Sequence, residues 1–331
     1  MSSILIYIPF LFVQPSLLQC GKNWQCILLC VPTTLVFIVI LIKLLTCQFL
    51  NYKIKHLIDQ LYNDWKFLKN PQECEIMKMY AAKAKSFSLI YSIFFLTCCP
   101  LYPFTTLIPK ILDIVIPLNK SRPIIMPYPA HYFVYDDTEY FYYILFHAAI
   151  FVTLILTAQI AHDCVILTFI EHVCDGYNIQ SKMASSVCAH WRALEFAEFL
   201  ESTFSVTLII QLLTIVIGMS VTLLQMAMQL ENIVEASRNA AFILAQLIHI
   251  FCFSLQGQKL IDHSLKIHDK IYNCFWYKMP VKSQRLLLNV MRRSLQPNML
   301  SAGGMYIFSL KSFMTVLQSS MSYFMVLASF Q

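Results

Sequence analysis

Residues 319–331 read "SSMSYFMVLASFQ", and no charged side chain follows Lys311. In water, an apolar end of this kind has nothing to bury it, so the stretch is read as membrane helix. Each residue turns a helix by about 100°. Thr315, Ser319, Ser322, Val326 and Ser329 then share a narrow arc, flanked by Gln318 and Phe330. Phe313, Val316, Leu317, Phe324 and Leu327 fall opposite. Polar groups in a bilayer must find protein or water. Small hydroxyl residues let a neighbouring helix approach closely; equally, the stripe lines water once several copies surround an axis. Periodicity leaves both open. Val326, the apolar break in the stripe, favours water, with Phe330 one turn further, because an apolar ring in a wet lumen gates by dewetting. An uncharged end is expected on this reading, since a formal charge beside the constriction perturbs conduction.

Working outward, the whole chain has the same character. Of its 331 residues 58% are hydrophobic and 13% charged, and mean hydropathy is +0.62. A globular chain carries about 25% charged residues, so part of this exterior faces lipid. Seven stretches are long and apolar enough for the ~20 residues of a spanning helix: 4–18, 27–45, 86–107, 142–170, 199–225, 240–255 and 304–330. The first is short and holds Pro9 and Pro15. A span is preferred there to a cleaved signal peptide, because no Lys or Arg precedes it and no clear small-x-small site follows.

Charge sets the orientation. The link after the second span carries Lys53, Lys55, Lys66, Lys69, Lys78, Lys83 and Lys85; the link before the seventh carries Lys259, Lys266, Lys270, Lys278, Lys282, Arg285, Arg292 and Arg293. The intervening links mix Lys110, Lys120, Arg122 and Arg238 with acids. Cytoplasmic loops collect Lys and Arg, so the amino terminus is expected inside and the carboxyl terminus outside. The sequon Asn119-Lys120-Ser121, a glycosylation candidate, falls on an expected outer loop. The inner segments repeat apolar residues at helical spacing: Leu50, Ile54, Leu57, Ile58, Leu61, Trp65 and Leu68, then 259–271 and 283–295. They predict a compact cytoplasmic helical bundle. The class is an all-α membrane protein.

Several functions are excluded. A G-protein-coupled receptor has the opposite orientation, and its acidic-Arg-aromatic and Asn-Pro-x-x-Tyr signatures are absent. No internal repeat suggests a transporter. No His-Glu-x-x-His, Gly-rich phosphate loop or Gly-x-Ser-x-Gly suggests an enzyme, a cofactor or a metal. The twelve cysteines, without a C-x-x-C, read as small buried hydrophobes; a Cys20–Cys26 bridge at the outer face is the less favoured reading of that pair. His162-Asp163 is read as a buried polar contact in preference to an acid–base pair. Isolated lysines on amphipathic helices are no nucleic-acid patch.

The end of the chain resembles a known family. Insect odorant and gustatory receptors close on Thr-Tyr, five apolar residues and Gln-Phe; here stand Ser322-Tyr323, Phe324 to Ala328, and Ser329-Phe330. "PNMLSAGGMYIFSLKSFMTVLQSSMSYF" (297–324) resembles the odorant-receptor seventh segment, and "LIDQLYNDWK" (57–66) the first inner loop. "HYFVYDDTEYFYYILFH" (131–147) and "FIEHVCDGYNIQ" (169–180) resemble the start and end of the fourth span, and "SLKIHDKIYNCFWYKMP" (264–280) the stretch before the seventh. The flavour is that of ants, bees and wasps. Ser329 in place of Gln removes an amide, and the segment before the second span is shorter than the family's.

The resemblance implies an odorant-gated, non-selective cation channel in the plasma membrane of olfactory sensory neurons. It implies a heterotetramer with the odorant receptor co-receptor, a volatile hydrophobic ligand, and permeating cations. It divides the chain into sensing helices over 1–256, with inner extensions near 49–85 and 172–198, anchor helices over 257–300, and a pore-lining helix over 301–331 at the tetramer axis. Val326 aligns with the co-receptor's gate valine, and Ser329 and Phe330 with its pore neighbours; Ser322, Thr315 and Ser319 complete the expected pore face. The odorant pocket is implied among the outer halves of the second to sixth spans, where depth and helix face select Val31, Leu35, Phe95, Cys99, Tyr142, Phe146, Met219 and Phe242. A metabotropic chemoreceptor and a gustatory-type channel are the rival readings.

Overall fold

The structure is a computed structural model describing residues 20–21, 23–67, 71–117, 122, 124–127, 132, 138–176, 183–229, 232–273, 276–278 and 280–329. The expected first span, Asn119 and Phe330 lie outside the described residues. The long helices are α1 (Trp24–Phe49), α2 (Asn51–Phe67), α3 (Pro71–Cys98), α6 (Phe141–Gly176), α7 (Met183–Met228), α8 (Ile233–Tyr272), α9 (Val281–Ser294) and α10 (Leu310–Ser329). Two short helices, α4 (Leu101–Phe104) and α5 (Ile108–Val115), follow α3, and a two-stranded hairpin, β1 (Ser301–Ala302) with β2 (Tyr306–Ile307), precedes α10.

Helix boundaries have local causes. Asn23 caps α1 through a bond from the Cys26 amide, and Asn232 caps α8 through one from Glu235, each satisfying a donor the first turn leaves free. Pro100 stops α3 at Cys98, inside the single span expected over 86–107, because a proline cannot donate its backbone bond. The expected continuation of the second span into the lysine-rich link is α2, set off from α1 only by Leu50. The seventh expected span starts six residues later than its apolar pattern suggests. Gly303 and Gly304 have φ of +62° and +69°, a conformation that glycine tolerates and other residues resist; they turn the hairpin, and α10 starts at Leu310.

Five described helical stretches are long and apolar enough to cross a membrane: Cys26–Phe49, Pro71–Val115, Phe141–Cys174, His190–Met228 and Ile233–Tyr272. With its 20 residues α10 is about 30 Å long, but its serines and Gln318 keep it out of that set.

The largest core lies toward the lysine-rich end. There Leu57 of α2, Tyr80 of α3, Ile170 of α6, Phe204 of α7, Phe253 of α8 and Val290 of α9 share one buried cluster with Phe308 beside the hairpin. Ion pairs ring it: Arg192 donates to Asp64 at 2.8 Å, Arg293 to Glu198 at 3.1 Å, and Lys259 to buried Glu171. Toward the opposite end the same helices meet in smaller clusters. There Cys20 and Cys26 form a disulfide, against the preferred reading of that pair; their separation of six residues suffices to close it.

Candidate pore helix and buried polar layer

One side of α10 packs on its own protomer, where Val316 and Ser320 are buried. Phe313 and Leu317 join a cluster with Ile215, Met219 and Ile250, and Phe324 and Leu327 join one with Leu28 and Leu224. The other side is uncovered. Thr315, Gln318, Ser322, Val326 and Ser329 are exposed on it, and Ser319 is half-buried at its edge. Ser322 donates back to the Gln318 carbonyl at 2.9 Å and Ser329 to that of Val326 at 2.7 Å, so these hydroxyls carry their own partners. The Gln318 amide has none of that help: leaving an unpaired amide in hydrocarbon costs several kcal/mol, roughly 4–8 on an alkane scale. Met314, Met321 and Met325 stand exposed beside the polar stripe.

A second feature lies inside the spans. Lys43 of α1 donates to Asp163 Oδ1 of α6 at 2.6 Å, with side chains 2% and 0% exposed. Tyr91 of α3 donates to Asp163 Oδ2 at 3.0 Å, and its hydroxyl lies 2.7 Å from His249 Nδ1 of α8. His249 Nε2 lies 2.5 Å from Gln211 Nε2 of α7. One assignment of protons satisfies every link: the Gln211 amide donates to Nε2, Nδ1–H donates to the Tyr91 oxygen, and Tyr91 and Lys43 both donate to the carboxylate. A neutral histidine therefore joins five helices to one compensated ion pair. His162, beside Asp163, is buried against the ring of Phe204, with its Nδ1 3.5 Å from Asp163 Oδ1. The sequence offered one signal of this layer, a lysine within the apolar run of α1; ionisable residues inside membrane helices have partners.

The expected pocket residues do not gather. Phe95 and Cys99 share a cluster with Tyr91, Ile160, Ala245 and Ile248. Val31 packs with Leu224, and Met219 with Val316. Leu35 reaches toward Gly218, and Phe242 is half-buried on α8. Tyr142 and Phe146 point outward, 63% and 69% exposed, while their neighbours Phe141 and Leu145 face the bundle. Both sides of α6 are apolar, so hydropathy gave no phase for that helix. A groove of about 660 Å³ opens between α2, α3 and α6, lined by Trp65, Tyr80, Ala84, Ser88, Cys164 and Glu171 among others, and none of the eight residues lines it.

The family model described as 7tm Odorant receptor matches residues 175–321. Odorant receptor 33a of Drosophila melanogaster is 25% identical over 150 residues, 45% of this chain and 40% of that one. The structure of the insect olfactory receptor OR5 from Machilis hrabei in complex with eugenol superposes with a TM-score of 0.77 at 14% identity, over 99% of this chain and 88% of that one. The chain is similar to insect odorant receptors. A second relative, odorant receptor 22c of Drosophila melanogaster, is 21% identical over 46% of this chain and 37% of its own. The chain thus spans less than half the length of the curated relatives it matches. The likeness to OR5 is one of fold.

Proposed function

We propose that this receptor is an odorant-sensing subunit of an odorant-gated, non-selective cation channel, assembled as a heterotetramer with the odorant receptor co-receptor. In this reading α10 lines the pore at the shared axis, Val326 narrows it, and Ser322, Ser319, Thr315 and Ser329 wet its wall, with Phe330 beyond them. The lysine-rich helices face the cytoplasm, the carboxyl terminus is outside, and the protein sits in the plasma membrane of olfactory sensory neurons. The 257–300 helices anchor the tetramer.

The observation that carries the reading is the uncovered polar face of α10. Its apolar face is spent on its own protomer, and exposed Gln318 and Thr315 suit water better than lipid. Eugenol bound by the Machilis receptor supports a small volatile ligand for this one. In this reading the odorant contacts Phe95 and Cys99, which share a cluster with Ala245 and Ile248. A ligand preferring the open state shifts the gate by its differential affinity.

Patch recording from cells expressing the chain with and without the co-receptor, against a volatile panel, tests this. The expected result is odorant-evoked cation current without added nucleotide, and a changed resting current or ion preference for Val326→Ser. Unaltered resting current and ion preference in that variant defeat the pore assignment. A tag on the carboxyl terminus that antibody reaches only after permeabilisation defeats the topology and favours a metabotropic receptor.

A further inference from the structure

We propose that His249 is a positioning residue that passes ligand-driven movement from the odorant site to the root of the pore helix. The proposal rests on the channel reading above and goes beyond it by naming the route.

The route is a continuous stack of buried rings. On α3, Tyr91 and Phe95 stand one turn apart with ring centroids 4.7 Å from each other. Phe95 meets His249 edge-on at 6.1 Å and 88°. On its far side, His249 lies 5.2 Å from Phe253, and Phe253 lies 5.9 Å from Phe308. Phe308 is the second residue before α10. His249, Phe253 and Phe308 are 5%, 0% and 2% exposed, so none has room to absorb a push by swinging aside; packed interiors transmit displacement because they are dense.

Two further features make the link stiff. Both nitrogens of His249 are engaged, by Tyr91 at 2.7 Å and Gln211 at 2.5 Å. Rotating the ring breaks both bonds in a site without water to replace them. A shift of α3 at Phe95 and Tyr91 therefore moves α8 as a body. One turn past Phe253, Gly257 has no side chain, and a Cβ built there would lie 2.2 Å from the Phe308 carbonyl oxygen. The backbone of α8 thus touches the short link between the hairpin and α10, where a sliding α8 would lever the pore helix. A bare structural tie would hold these helices together equally well in the closed and open states. A relay changes how much odorant is needed to open the pore.

The experiment is recording from the full chain with its co-receptor, using as probe whichever of a panel of volatile phenols, esters and alcohols gives the largest wild-type current. Surface amount and detergent melting temperature are measured on the same variants. His249→Phe keeps the ring contacts and removes both hydrogen bonds; Phe253→Leu keeps apolar volume and removes the ring. Each is expected to raise the half-maximal odorant concentration about tenfold, within the usual range of coupling between sites, and to leave surface amount within twofold. Adding Phe253→Leu to His249→Phe is expected to add little, because both interrupt one route. If His249→Phe does not reach the surface, Phe253→Leu decides alone. Half-maximal concentration and maximal current equal to wild type in the variants that reach the surface overturn the relay and leave the channel reading intact. Additive shifts in the double variant also overturn it. Absence of any wild-type odorant current overturns the channel reading and the relay with it.

Discussion

Leu57 of α2 and Leu224 of α7 are both buried leucines, 0% and 2% exposed, yet they sit in different kinds of interior. Leu57 belongs to the broad core of the lysine-rich end, to which α2, α3, α6, α7, α8, α9 and the hairpin all contribute. Leu224 belongs to a small cluster with Leu28 and Val221, edged by Val31, Phe324 and Leu327. The amphipathic α2 has an exposed charged face, so its apolar side is driven inward by water. Where α7 crosses the membrane, lipid is as apolar as leucine, and only packing and polar bonds favour helix contact. The lesson is a division of labour. One end is a cooperative unit, and the other is a set of modest contacts with low cost of rearrangement. The polar layer of Lys43, Tyr91, Asp163, Gln211 and His249 stands in for the missing hydrophobic drive.

The sharpest way to break that comparison is at the polar layer. Asp163→Leu leaves Lys43 unpaired among apolar neighbours, and breaking a buried pair in this way costs about 3–5 kcal/mol. The expected outcome is loss of a monodisperse peak in fluorescence-detected size exclusion; a variant that melts with the wild type would show that the layer holds nothing. Next come the two leucines. Leu57→Ala is expected to cost about 2–5 kcal/mol, the range for buried leucine truncation, with Leu224→Ala at or below the low end. Equal losses in thermal melts of the two variants would erase the distinction between the interiors. Gly257→Ala follows, since its methyl group meets the Phe308 carbonyl; overpacking of this sort costs about 1–3 kcal/mol, and here backbone, not a flexible side chain, must give. A melting temperature unchanged by that methyl would deny the close approach of α8 to the hairpin. The smallest stability effect belongs to Val326→Ser, an exposed position 52% accessible on α10. Its stability is expected to stay within about 0.5 kcal/mol of wild type while conduction changes, and a large destabilisation would place Val326 inside a packed protomer interface.

The order of helices was legible along the chain because each span announces itself locally, as a long apolar run. The stripe on α10 was legible for the same reason: 100° steps sort Thr315, Ser322 and Val326 from Phe313, Val316 and Leu327, and the packing follows that sorting. The phase of α6 was not. Tyr142 and Phe146 are as apolar as Phe141 and Leu145, and a helix with lipid on one side and protein on the other shows no hydropathy difference between them. Nor did the run over 304–330 reveal that its first residues form a turn, since glycine pairs fit a helix start as readily as a hairpin until the backbone angles are fixed.

What the amino-acid sequence determined by itself is the solvent each segment prefers, and with it the membrane class, the order of the long apolar helices, and the oily and polar sides of the last helix. These depend on side-chain chemistry and helical pitch alone. Only the tertiary structure decided which faces meet: that Lys43 finds Asp163 across 120 positions, that His249 stands between Phe95 and Phe253, and that Gly257 receives the backbone of Phe308. Partners so distant along the chain are chosen by the packing of whole helices, and no local pattern encodes that choice.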